Sequence, residues 1–283
     1  MKTLEKLAND KTISVRAALV FYLPVGLTIL KWEKCFNLFK IAFQKGPEEY
    51  ADLITTFLQY VPKNYFHEVK KILFEMKMKR NKTIDKSYLS LMTIYFYRNL
   101  IDEKRLIEAF SDKKIDLEPK KEAFKIIANQ TKFRNSVTAS LKIINRLFDI
   151  NKDILSDALL IIFLEPRVED FKKFVPLIEK ILNEKDIRGR YIYYMLEYLE
   201  KCLLIDAKNV FMILKEILTK SGKDFYDIRY SIPASHSKAP INIINTILEC
   251  HFNLEEQALE ALDKLIELRW QGVDEYLRAV DRL

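Results

Sequence analysis

Residues 7–24 have the sequence LANDKTISVRAALVFYLP, which predicts the end of one helix, a tight turn and a second helix. Asn9 and Asp10 have short polar side chains that bond free backbone amides, so they suit the turn between the two helices. An apolar stripe follows at helical spacing, made of Val15, Ala18, Leu19 and Tyr22. Pro24 cannot donate a helical hydrogen bond, so we expect the second helix to stop there.

The pattern Leu-Ala-x-Asp-x-x-x-x-Val-Arg-x-Ala within this stretch resembles the signature of a HEAT repeat, a helix pair that stacks into a solenoid. The resemblance implies that Asp10 and Arg16 hydrogen-bond around the inter-helix turn and hold neighbouring units in register. The pattern occurs clearly once, so later repeats must be degenerate. Two ordinary packed helices are the alternative interpretation.

The composition predicts an all-α protein with a substantial core. The chain has 283 residues, of which 49% are hydrophobic and 31% charged, and its five glycines are few for an all-β or nucleotide-binding α/β fold. Apolar stripes predict about fifteen helices, or about seven pairs of roughly 40 residues each. We expect an irregular HEAT-like α-solenoid of antiparallel helix pairs in one domain, residues 1–283. A compact multi-helix bundle is the alternative, because the pairs show no fixed period.

Cysteine usage and hydropathy favour a cytoplasmic protein. Cys35, Cys202 and Cys250 are widely spaced and none belongs to a Cys-x-x-Cys pair, so a disulfide framework is not expected. The sequence shows neither the apolar core of a signal peptide nor a run of about 18 apolar residues, so we expect no membrane contact. The net charge of +7 permits a nucleic acid or an acidic protein as partner and requires neither.

No motif predicts catalysis. The three histidines, His67, His236 and His251, lie far apart and none has the His-x-x-x-His spacing of a helical metal site. The polar segment around His236 contains the residue types of a hydrolase, but the nucleophile elbow and its preceding strand are missing. We therefore expect no catalytic residue, no metal and no cofactor.

Residues 219–242 form the longest break in the helical pattern and include Gly222, Pro233 and Pro240. Such a loop is several times longer than the connections of about 2–8 residues that join packed helices, and long loops are often functional. Tyrosine and arginine are frequent at binding hot spots. The predicted partner contacts are Tyr226, Arg229, Tyr230, His236 and Lys238. The alternative is that these aromatic residues pin the loop onto the last helices.

Two further clusters are candidates for binding nucleic acid. The first is a local basic patch made of Lys70, Lys71, Lys77, Lys79, Arg80 and Lys82. The second places Arg188 and Arg190 beside Tyr191, Tyr193, Tyr194 and Tyr198. Phosphates would attract the first cluster and bases could stack on the second. The alternative is a solvated face and a tyrosine-lined core.

The C-terminal region predicts a helical hairpin, with one amphipathic helix over residues 254–268 and a final helix over residues 272–282. Together with the N-terminal repeat, this hairpin resembles the helical tails of large bacterial ATP-binding proteins of the defence or signalling NTPase type. The resemblance implies an NTPase domain on the same or a neighbouring chain, because no Gly-x-x-x-x-Gly-Lys-[Ser/Thr] loop is present here. The first residues already lie inside a repeat, which predicts that the chain is part of a longer functional unit.

These patterns together predict a non-enzymatic helical-repeat scaffold that binds another macromolecule. A protein partner is favoured, with the chain as the sensor or scaffold part of a bacterial NTPase system. The alternative is a nucleic-acid-binding HEAT-like protein that uses its basic and Tyr/Arg surfaces.

Overall fold

The computed structural model describes residues 2–44, 51–79, 81–155, 158–164, 167–220, 237–270 and 272–280. Within these ranges the regular structure consists of fifteen α-helices and short 3₁₀ turns, with no strand. The predicted all-α class and number of helices are therefore confirmed for this part of the chain. The helices are α1 (Lys2–Ala8), α2 (Ile13–Gly26), α3 (Trp32–Gln44), α4 (Ala51–Leu58), α5 (Phe66–Met78), α6 (Lys82–Tyr97), α7 (Glu103–Ser111), α8 (Leu117–Gln130), α9 (Val137–Ile150), α10 (Leu159–Leu164), α11 (Phe171–Asn183), α12 (Lys185–Lys220), α13 (Ala239–Cys250), α14 (Glu255–Glu267) and α15 (Val273–Val280).

The chain divides into two compact units. The first contains Met1–Ile127 and Arg146–Leu155, and the second contains Ala128–Asn145 and Ser156–Leu283. Helices α8 and α9 each supply residues to both units. The prediction of a single domain and the choice between a solenoid and a bundle stay predictions.

The turn between α1 and α2 is held by Asp10 and Arg16. The buried Arg16 side chain donates from Nη1 to the backbone oxygens of Asp10, at 2.6 Å, and Lys11, at 3.0 Å. The Asp10 carboxylate accepts a 2.7 Å hydrogen bond from the Thr12 amide. Both residues therefore bond at the inter-helix turn, where the HEAT resemblance places them. Their role in the register of neighbouring units stays a prediction.

Helix α2 differs from its prediction in two ways. It extends to Gly26 with Pro24 inside its last turn, because a missing N–H near the end of a helix removes only one ladder bond. Its buried face is also not the predicted stripe, since Ala18 and Tyr22 are exposed. The buried positions are Arg16, Leu19, Val20 and Leu23. A helix that is apolar all round gives no periodic signal for its inward face.

An aromatic cluster forms the core between α3 and α4. The Trp32 ring stacks on Phe57 with centroids 4.9 Å apart and on Phe36 at 5.4 Å, and Phe39 lies 5.1 Å from Phe57. The inward face of α3 follows an apolar stripe of the sequence, because all of its members are buried: Trp32, Cys35, Phe36, Phe39 and Phe43. Helix α4 also packs against α2 and α6.

Side chains at the C-terminal end of α6 donate hydrogen bonds to backbone oxygens at the C-terminal end of α4. The Tyr95 hydroxyl donates to the Leu58 oxygen at 3.0 Å, and Arg98 donates from Nη2 to the Val61 oxygen at 2.7 Å and from Nη1 to the Gln59 oxygen. The last carbonyl groups of a helix have no partner within the helix. Burial raises the pKa of Tyr95 well above its ordinary value, so its phenol keeps its proton and remains a donor.

Helix α12 contains a break at Asp206, whose backbone is extended with φ −160°. The Asp206 carboxylate accepts from the Asn209 amide at 3.2 Å and so caps the second half of the helix. Each half has its own apolar stripe in the sequence, the first with Tyr191, Met195, Tyr198 and Cys202 and the second with Val210, Phe211, Leu214, Ile217 and Leu218. Burial alone would raise the pKa of Asp206, but hydrogen bonds from Asn209 and the charge of Lys172 outweigh this effect and lower it.

The predicted loop 219–242 is shorter at both ends in the structure. Helix α12 continues through Lys220, and α13 begins at Ala239, where Pro240 occupies its first turn and needs no hydrogen-bonded N–H. Residues 221–236 lie outside the described ranges.

Removing the Tyr95 hydroxyl should weaken the first unit. Tyr95→Phe removes one of the two hydrogen bonds that the Leu58 oxygen accepts, the other coming from the Val61 amide. We expect this loss to cost about 1 kcal/mol and to lower the melting temperature by about 2–4 °C. Calorimetry measures the shift. The control is Tyr60→Phe, which makes the same chemical change at an exposed ring and should leave the melting temperature unchanged. Equal shifts in both variants would show that the Tyr95–Leu58 bond does not stabilise the unit.

Candidate functional site

The strongest candidate site is a groove in the first unit, here called the α5–α7 groove. It encloses about 180 Å³. Helix α5 supplies one wall, α6 the floor, and the start of α7 the other wall. The lining residues are Phe66, Lys70, Leu73, Phe74, Lys77, Tyr88, Met92, Ile101 and Arg105.

Helix α5 places a basic and aromatic row along the groove. Lys70, Phe74 and Lys77 are spaced i, i+4 and i+7, so they share one face of the helix. The opposite face is in the core, where Val69 and Met76 are buried. The Phe74 side chain is 65% exposed. An aromatic ring between two lysines is therefore presented to solvent at the mouth of the groove.

The turn between α6 and α7 places Arg105 on the other wall. Asn99 has a left-handed backbone with φ 56°, and the Leu100 amide donates to the Tyr95 oxygen at 2.9 Å. This geometry is the Schellman ending of a helix, in which asparagine can replace glycine. Asp102 then caps α7 by accepting from the Arg105 amide at 2.9 Å. The local sequence thus fixes the direction of the first turn of α7.

The groove has positive charge that no carboxylate of the described residues neutralises. Its lining includes Lys70, Lys77 and Arg105 and no carboxylate. Within the described residues, none of these three side chains forms an ion pair. The Lys70 ammonium lies 5.4 Å from the centroid of the Phe66 ring, a weak attraction that leaves its charge in place. An anionic ligand would therefore meet three cations above an apolar floor.

Two other cavities in this unit have balanced charges. One, of about 220 Å³, is lined by Lys40 and Lys71 together with Glu68 and Glu75, and Lys40 pairs with Glu68 at 3.4 Å. The other, of about 360 Å³, is lined by Lys82, Lys86, Glu118 and Glu122 among others. A hydrogen bond from Lys125 lowers the pKa of Glu122, which keeps that carboxylate ionised. Neither cavity offers an excess charge to a ligand.

The predicted basic patch is therefore divided among separate surfaces. Lys70 and Lys77 line the α5–α7 groove, whereas Lys71 and Lys82 line the two balanced cavities. Lys79 is exposed at the end of α5. Arg80 lies outside the described residues.

The second predicted nucleic-acid cluster does not supply a stacking surface at two of its tyrosines. Tyr191 and Tyr198 are buried, and the Tyr198 ring packs on Phe174 with centroids 5.5 Å apart. Those two positions are part of the core, so the stacking hypothesis is wrong for them. Arg188 and Arg190 belong to α12, but their side chains lie outside the described part of the structure.

The predicted loop contacts are mostly untested. Tyr226, Arg229, Tyr230 and His236 lie outside the described residues, so their role stays a prediction. Lys238 is described, and it is exposed at the residue that precedes α13.

Other site types find little support in the residues that the structure describes. No group of three or more His, Cys, Asp or Glu side chains is placed to hold a metal ion there. None of the described helices combines the length and the apolar character needed to cross a bilayer. Burial raises the pKa of Cys202 to about 12, so this thiol stays protonated at neutral pH.

Sequence analysis missed Phe74, Met92 and Arg105. A signal existed for Phe74, because it falls outside the apolar stripe formed by Phe66, Val69, Leu73 and Met76. An aromatic residue off the buried stripe of an amphipathic helix is expected at the surface. Arg105 gave no such signal, since its position beside α5 depends on the packing of α6 and α7.

Comparison of the chain with protein-family models, curated protein sequences and solved structures found no match. A function for the groove therefore has to be inferred from its own residues.

The exposed position of Phe74 predicts that its ring contributes little to stability. Phe74→Ala should change the free energy of unfolding by no more than about 0.5 kcal/mol. Phe66→Ala, a matched change at a buried ring of the same helix, should cost about 3–5 kcal/mol because it leaves a cavity. Urea unfolding measures both values. A cost for Phe74→Ala comparable to that for Phe66→Ala would place Phe74 in the core and remove the groove.

Proposed function

We propose that this chain is a non-enzymatic helical-repeat scaffold whose α5–α7 groove binds an acidic segment of a protein partner. The main support is the combination of three cations, which form no ion pair with the described residues, with the exposed Phe74 ring above an apolar floor. Burial of an aromatic or aliphatic side chain would supply affinity, and carboxylates of the partner would pair with Lys70, Lys77 and Arg105.

The size of the groove favours a peptide side chain over a whole small molecule. Its volume of about 180 Å³ is below the range of about 300–1,000 Å³ that is usual for ligand pockets. A leucine or phenylalanine side chain would fill such a space between Leu73, Met92 and Ile101. Helix-in-groove recognition uses this kind of anchor, with flanking polar contacts that set specificity.

Two features of the first unit support the HEAT-like part of the proposal. Helices α2, α4 and α6 pack side by side, with α4 between the other two, as alternate helices do in a stack of helix pairs. The bonds of Arg16 around its turn also fit a HEAT-type hairpin. The proposed link to a bacterial NTPase system rests on the sequence resemblance alone.

The second candidate function is binding of single-stranded nucleic acid at the same groove. The observation that favours it is the exposed Phe74 ring with Lys70 and Lys77 one helical turn to either side. A base could stack on the ring while phosphates contact the lysines. Lys79 follows the end of α5 and is exposed, which would extend a backbone track.

Selection from a displayed random-peptide library should test the protein-binding proposal. We expect enriched peptides to combine Asp or Glu with Leu, Phe or Trp, because the groove is cationic and apolar. The affinity of a fluorescein-labelled selected peptide should fall about tenfold or more in Phe74→Ala and in Arg105→Glu. The matched control is Lys104→Glu, the same charge change at an exposed neighbour that does not line the groove.

An outcome in which Lys104→Glu weakens binding as much as Arg105→Glu would contradict a localised site. Fluorescein-labelled oligothymidylate distinguishes the second candidate. If it binds with an affinity that falls steeply with salt and is lost in Phe74→Ala, while no peptide is enriched, the groove binds nucleic acid instead.

A further inference from the structure

Helix α2 presents an outward face without charge. From residue 12 to residue 30 the only charged residue is Arg16, and its side chain is buried. The exposed positions of this face follow helical spacing and include Ser14, Ala18, Phe21, Tyr22, Val25 and Ile29. A surface helix ordinarily has charged residues on its outer face, and a helix that is apolar all round is ordinarily buried on all sides. The outer face of α2 therefore has the composition of an interface.

The large side chains on this face expose a substantial area. Tyr22 is 63% exposed, Val25 62%, Ile29 85% and Phe21 52%. Their exposed parts amount to on the order of 500 Å². That value lies near the top of the range of about 300–600 Å² for the largest apolar patch on a monomer. It is also more than half of the roughly 800 Å² that each partner buries in a standard interface.

The residues of the face are arranged so that it complements itself. Its N-terminal half has the small residues Ser14 and Ala18, and its C-terminal half has the large residues Val25 and Ile29. Helix α2 ends at Gly26, and Ile29 lies in the hydrogen-bonded turn that follows, where the Ile29 and Leu30 amides donate to the Gly26 oxygen at 3.1 Å and 2.7 Å. In an antiparallel pair of such helices, large residues of each copy would lie opposite small residues of the other.

We propose that the outer face of α2 binds the same face of a second copy of this chain, antiparallel about a two-fold axis between Phe21 and Tyr22. Ser14 then lies opposite Ile29 of the second copy, and Ala18 opposite Val25. Phe21 packs on Tyr22 across the axis. A two-fold contact uses one self-complementary patch twice, so one helix completes the interface.

The absence of charge selects this occupant over others. A strongly charged protein or a nucleic acid would find no ion pair on the face. A helix that lies on a membrane surface has Lys or Arg along its polar side, whereas the inner side of α2 packs against α1, α3 and α4. A second copy supplies an uncharged surface of the same area. This inference is independent of the proposed groove function.

Analytical ultracentrifugation of the full chain tests the proposal. The wild type should form a dimer, and Val25→Glu should raise its dissociation constant about tenfold or more, because a carboxylate is then buried without a partner. The control is Leu204→Glu, which places the same charge on a 96% exposed residue of the second unit and should leave the dimer unchanged. A wild type that stays monomeric at about 100 μM, or a dimer unaffected by Val25→Glu, would overturn the proposal.

Disulfide trapping tests the antiparallel register. The exposed native thiol is first removed by Cys250→Ser, while Cys35 and Cys202 are buried. Ala18→Cys and Val25→Cys proteins should cross-link when mixed, but neither should cross-link alone. In the antiparallel pair, position 18 of one copy lies opposite position 25 of the other. Position 18 of the two copies is therefore offset by seven residues, or about 10 Å along the axis, which is beyond the roughly 7 Å limit for a disulfide.

Efficient cross-linking of Ala18→Cys with itself would indicate a parallel pair and overturn the register. Sedimentation with phosphatidylcholine vesicles distinguishes a second copy of the chain from a lipid surface as the occupant of the face. Vesicle binding by a monomeric wild type, abolished by Val25→Glu, would assign the face to a lipid surface and contradict the dimer.

Discussion

The bonds that α6 makes to the C-terminal end of α4 support the rest of the first unit. Tyr95 donates to the oxygen of Leu58, the last residue of α4, and Arg98 donates to the oxygens of Gln59 and Val61 in the turn that follows. Hydrogen bonds depend on direction as well as distance, so these contacts set the position of α6 against α4. Helix α6 in turn supplies the floor of the α5–α7 groove, and the turn at its end sets the direction of α7. The geometry of the α5–α7 groove thus depends on hydrogen bonds at the C-terminal end of α4, which does not line the groove.

The α5–α7 groove and the outer face of α2 differ in chemistry and would select different partners. The α5–α7 groove combines apolar packing with three cations, so charge complementarity would favour an acidic partner and raise its association rate. The α2 face has apolar area without charge, which favours an equally apolar surface. Because both belong to the first unit but to different helices, one chain could pair with its copy while it holds another partner.

The sequence predicted those features that depend on local periodicity. The number of helices, the buried stripe of α3 and the two stripes of α12 follow from apolar spacing. The inward face of α2 could not be predicted, because apolar residues occupy every side of that helix. The predicted basic patch included lysines that do not share a surface. Adjacent residues such as Lys70 and Lys71 point about 100° apart on a helix, so they line different cavities. Arg105 joins the groove through tertiary packing, which a linear pattern does not encode.

Methyl NMR of the methionine residues tests the central claim most directly. Met92 lines the α5–α7 groove, Met195 is buried in the second unit, and Met212 is exposed there. Titration with a selected acidic peptide that contains an apolar anchor should shift the Met92 methyl signal and leave those of Met195 and Met212 in place. A shift at Met212 with an unchanged Met92 signal would contradict the assignment of the groove as the binding site.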